Sequence, residues 1–75
     1  MTYRKKVLAF MDCVWQEDKE IEFINLIEEN RKNILVAPTD GIIKYYLKRL
    51  WKENRTRLLD WVSDRFVYEL CLLIN

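Results

Sequence analysis

Asn33-Ile34-Leu35-Val36-Ala37-Pro38-Thr39-Asp40-Gly41, residues 33–41, holds the one proline and the one glycine of a 75-residue chain. How this stretch is read decides the fold. Pro38 disfavours helical backbone at Ala37, and Thr39 or Asp40 is a natural N-cap for a helix that follows. The competing reading is a hairpin, with Ile34-Leu35-Val36 and Ile42-Ile43 as strands around Pro38–Gly41. Two facts favour helices. The pattern after Gly41 turns helical at once, and a β domain needs many tight turns, for which one glycine and one proline are too few.

Downstream, residues 41–54 carry Ile43, Tyr46, Leu47 and Leu50 on one helical face. Residues 56–74 carry Leu59, Val62, Phe66, Leu70 and Leu73 as a regular core stripe. Trp61, Tyr68 and Leu72 make a second stripe, rotated well away from the first. Asn54-Arg55-Thr56 gives the one hint of a break between these two segments. Upstream, Tyr3, Val7, Phe10, Met11 and Val14 recur at three- and four-residue steps from Thr2 to Trp15. A further helix is expected over 18–32, with Phe23, Ile24, Leu26 and Ile27 on its apolar side. Gln16 to Glu20 interrupts the apolar stripe and separates the first two helices. Arg4, Lys5 and Lys6 oppose the macrodipole of the first helix, so that end either frays or is held by something anionic. The expected fold is one all-α domain over residues 1–75, a bundle of three to four helices with the C-terminal helix central.

Charge is sorted along the chain. Residues 12–29 hold seven acids and one lysine; residues 44–57 hold six bases and one acid; yet the whole chain nets only +1. A 51% hydrophobic share with three Trp, four Tyr and three Phe is more apolar surface than a lone small core comfortably hides, which points to a partner or a second copy.

Catalytic and metal chemistry find little material here. The chain has no histidine, the commonest general base and metal ligand. Ser63 is the sole serine and has no histidine to activate it. Cys13 and Cys71 alone do not make a zinc site and read as free thiols. No glycine-rich phosphate loop is present. A non-enzymatic chain with no cofactor and no metal is expected. No apolar run is long enough to span a bilayer. The stretch from Tyr3 to Val14 has the outline of a signal peptide, but Asp12 interrupts it and no small-residue cleavage site follows, so a cytoplasmic setting is expected.

Three surfaces are candidates for binding. Trp61, Tyr68 and Leu72 make the last helix apolar on more than one side, as befits a central helix or one that carries a partner. Asp18, Glu22 and Glu29 share an acidic face that docks a basic partner or imitates a phosphate backbone, or else packs beside the basic segment. Lys44, Lys48, Lys52 and Arg55 fall at helical spacing, with Trp51 and Tyr45 flanking them, and suit phosphates and unpaired bases. The expected function is protein–protein interaction, as a small regulator, adaptor or inhibitor; by analogy alone, such chains are common on phages and plasmids. The alternative is a nucleic-acid-binding regulator using residues 44–57.

Overall fold

Four apolar stripes meet in one core. In a computed structural model that describes residues 2–13 and 21–75, the elements are α1 (Tyr3–Cys13), α2 (Ile21–Val36), α3 (Asp40–Trp61) and α4 (Asp64–Ile74). No strand occurs among the described residues, so the hairpin reading of 34–43 is not adopted. Val7, Phe10 and Met11 of α1 are buried with Phe23, Ile27 and Ile34 of α2. Ile43, Leu47, Leu50 and Leu58 of α3 join them, with Phe66 and Leu70 of α4. None of the described polar or charged residues is buried. Each fully buried Val, Leu, Ile, Phe or Met side chain contributes roughly 1.5–3 kcal/mol of transfer free energy.

α2 runs four residues beyond the expected end at Lys32, through Ile34-Leu35-Val36. Ile34 lies seven residues after Ile27 and continues its buried stripe. The end is then capped from a distance. The Arg4 guanidinium donates to the carbonyls of Ile34 (3.2 Å), Leu35 (2.9 Å) and Ala37. The Ile34 carbonyl also accepts the Ala37 N–H at 3.4 Å, and the Ile34 and Leu35 carbonyls lie in the last turn of α2, at the negative end of its dipole. They are what holds the basic start of α1. Thr2 completes that start by accepting from the Lys5 N–H through its hydroxyl.

Ala37 is buried outside the helix, as Pro38 requires. Thr39 is the N-cap of α3, its hydroxyl accepting from Ile42 N–H at 3.2 Å. α3 then passes through Asn54-Arg55-Thr56, where the sequence hints at a break. Asn54 has φ −122° and ψ 16°, a kink inside the helix, and its side-chain amide donates to Leu50 O. The chain breaks eight residues later. Val62 is extended, and Ser63 caps α4 by accepting from Phe66 N–H at 3.3 Å. Residues 56–74, expected as one helix, are thus shared between the end of α3 and α4. The kink and the break shift the apolar phase: Leu58 is buried, while Leu59, expected in the core stripe, is 52% exposed.

α3 lies against α2 and α4 and also meets α1. α4 rests chiefly on α3 and reaches the other two through Phe66. That ring lies 4.8 Å from Phe10 and 5.8 Å, edge-on, from Phe23.

Candidate functional site

Ser63 sets the phase of α4, and the phase decides which residues face out. Phe66 and Leu70 point into the core. Tyr68 and Leu72, four residues apart, stand on the opposite side with 65% and 59% of their surface exposed. Val67 and Cys71 lie between, half-buried. The helix is therefore apolar on two sides, with Asp64, Arg65 and Glu69 as its polar residues. Its C-terminal end is pinned: the Tyr3 hydroxyl donates to Leu73 O at 2.9 Å across 70 residues of sequence. Burial, helped by the charge of Asp40, raises the Tyr3 pKa above the ordinary phenol value. Arg65 pairs with Glu69 one turn on, at 3.4 Å.

Trp61 belongs to a different element. It is the last residue of α3, half-buried against the core, with its ring edge-on to Phe23 at 6.2 Å between centroids. The structure brings Tyr68 and Leu72 together and sets Trp61 apart from them, across the Val62–Ser63 break.

The outer side of α3 is cationic. Lys48, Lys52 and Arg55 are exposed, and so is Tyr45, at 59%. Lys44 is half-buried, its ammonium 5.7 Å from the centroid of the Tyr3 ring. The Arg55 guanidinium sits over the Trp51 ring at 5.8 Å, and Trp51 itself packs partly against the core. Arg49 is paired with Glu53 at 2.9 Å, and that hydrogen bond raises its pKa above the ordinary guanidinium value.

On α2, Glu22 and Glu29 are exposed; Asp18 lies outside the described residues. Among the described residues the ion pair that joins two helices is Arg31–Asp12, between α2 and α1, at 2.9 Å. α2 and α3 pack side by side with no ion pair between them among those residues. A groove of about 100 Å³ runs between the two helices, with Glu29 and Asn30 on one wall and Tyr46 and Arg49 on the other. Small-molecule pockets commonly run ~300–1,000 Å³, so this groove takes water or a single side chain.

Val36, 79% exposed, and Ile21 are bare apolar residues that the sequence reading did not single out. Each is the terminal residue of α2, where a helical stripe no longer dictates burial, but spacing alone, which placed this helix over 18–32, did not mark either end. Among the described residues no cluster of acids and cysteines is arranged to hold a metal ion, and no helix is long and apolar enough to cross a membrane. In comparisons with known proteins, no family model, no curated protein and no solved structure matches this chain.

Proposed function

We propose that this protein is a non-enzymatic interaction module of the cytoplasm, a regulator, adaptor or inhibitor that docks on a larger protein through α4. The observation that carries the reading is the pair Tyr68 and Leu72, bare on the side of α4 opposite Phe66 and Leu70. An amphipathic surface helix keeps polar residues on its outer side; here that side offers an aromatic ring and a branched aliphatic chain. Tyrosine is also among the residues that dominate binding energies, because it brings large, rigid area with a polar tip. Trp61, at the end of α3 and packed edge-on against Phe23, is not part of this pair. Asp18, Glu22 and Glu29 steer approach, since exposed charge sets encounter rate and orientation more than affinity. No cofactor takes part.

The test is a photo-cross-linking residue placed at position 68, with one at Arg57 on α3 as the control. Irradiation in native lysate, with nuclease present, is expected to trap one discrete partner at position 68 and none at position 57. Equal labelling at both positions, or none at either, contradicts the proposal.

A further inference from the structure

The geometry points to a second binding surface, a sequence-independent site for single-stranded nucleic acid on the outer face of α3, formed by Lys48, Lys52 and Arg55 with Tyr45. It does not rest on the α4 reading.

The first observation is a repeated local cost. Lys44, Lys48 and Lys52 stand at consecutive four-residue steps, where side chains are neighbours about 6 Å apart along the axis. Like charges at that spacing destabilise a helix, whereas a lysine following a glutamate by four residues supports one. A face that only kept the helix soluble would be expected to alternate sign. Asp40 precedes Lys44 by one turn, but from Lys44 to Lys52 the row does not alternate, and the nearby Glu53 is taken up by Arg49 at 2.9 Å. Among the described residues Lys48 and Lys52 have no carboxylate partner. A polyanion laid along the face removes the repulsion that folding leaves in place.

The second observation is Tyr45. It is exposed on the same helix as these cations, one residue from Lys44 and three from Lys48. The ring is braced by a T-shaped contact with Tyr46, 5.7 Å between centroids, and Tyr46 packs against the core. Arg55 is likewise oriented by the Trp51 ring beneath it. A row of cations that follows a backbone, beside an aromatic ring free to take a base, is the arrangement by which proteins hold single strands without reading sequence. Three of the four cations at Lys44, Lys48, Lys52 and Arg55 are lysines, point charges that suit phosphates and lack the planar fork that reads base edges. That is why single strands of any sequence are favoured over a defined duplex site.

Titration of a labelled oligothymidylate into the full chain, at low and then rising salt, tests the assignment. Binding is expected at low salt and is expected to weaken linearly in log–log form. Replacing Lys48→Gln and Lys52→Gln together should flatten that slope by roughly 1.4, from ~0.7 per phosphate contact on a single strand. Tyr45→Ala should weaken binding roughly 5- to 150-fold with the slope kept, the loss of one stacked base. Tyr68→Ala with Leu72→Ala should leave oligonucleotide affinity unchanged, which separates this site from the α4 surface. Far-ultraviolet circular dichroism confirms that each variant is folded. Absence of binding at low salt overturns the assignment, as does a Lys48/Lys52 variant or a Tyr45 variant that binds like wild type. Polyglutamate binding as tightly as the oligonucleotide also overturns it, and gives the face to an acidic protein.

Discussion

The outer faces of α3 and α4 solve the same problem in opposite ways. Both helices bury one side in a common core. α3 turns Lys48, Lys52 and Arg55 to water, and α4 turns Tyr68 and Leu72. A lysine keeps its charge hydrated while its stem covers apolar surface, so each cation outside α3 is compatible with water even where its neighbours repel it. The outside of α4 gains nothing from being wet, and roughly 25 cal/mol per Å² is recovered when such surface is covered. Exposure itself is therefore a poor guide to what a face is for; its chemistry is the guide.

The largest effect is expected on the inner side of α4. Phe66 is the ring that ties α4 to both Phe10 and Phe23. Phe66→Ala should cost ~3–5 kcal/mol, from lost transfer free energy and the cavity left behind. A core of this size seldom supplies more than that, so thermal unfolding of the variant should lose its cooperative transition. A variant that keeps its transition within a few degrees of wild type would mean that α4 is not seated as described.

A smaller effect follows from loosening the phase of α4. Ser63 caps the helix, and Ser63→Ala should cost ~0.5–2 kcal/mol, read from the urea midpoint, with Ser63→Asp restoring most of it.

Smaller again is the far end of α4, held by the Tyr3 hydroxyl on Leu73 O. Tyr3→Phe removes one part-buried hydrogen bond, worth ~0.5–1.5 kcal/mol. It should also change the alkaline limb of stability. The folded-state pKa of Tyr3 is raised, so its contribution is complete below the unfolded value near 10. As pH climbs through the unfolded value towards the folded one, the unfolded chain gives up its proton first and stability falls. Urea midpoints measured on either side of pH 10 should show a steeper decline for wild type than for Tyr3→Phe; parallel declines would remove Tyr3 from the account.

The class of fold was legible from one proline, one glycine and four apolar stripes. The inward sets Val7, Phe10 and Met11, and Ile43, Leu47 and Leu50, follow from spacing alone. Where spacing failed, the cause was tertiary or was a capping competition. The helix runs on through Ile34 to Val36 with a guanidinium thirty residues earlier in the chain on the Ile34 and Leu35 carbonyls, which no local pattern reveals. The Val62–Ser63 break has neither glycine nor proline; a lone serine hydroxyl outcompetes helix continuation by binding the Phe66 N–H. That break is also why Trp61 left the stripe of Tyr68 and Leu72: residues 61 and 68 share a face only if the helix between them is unbroken. On α3, the Arg55–Trp51 contact was legible as a four-residue spacing. The seating of Lys44 over Tyr3 was not, because Tyr3 arrives from the other end of the chain.

The most direct test combines stability and association in one variant, Tyr68→Ala with Leu72→Ala. Urea unfolding and sedimentation velocity in the presence of the partner trapped at position 68 are measured on the same sample. A stability within ~0.5 kcal/mol of wild type, the range for surface substitutions, is expected together with loss of the complex. A loss of ~2 kcal/mol or more, the scale of a large-to-small change in a core, would contradict this, since it would place this side of α4 in the interior.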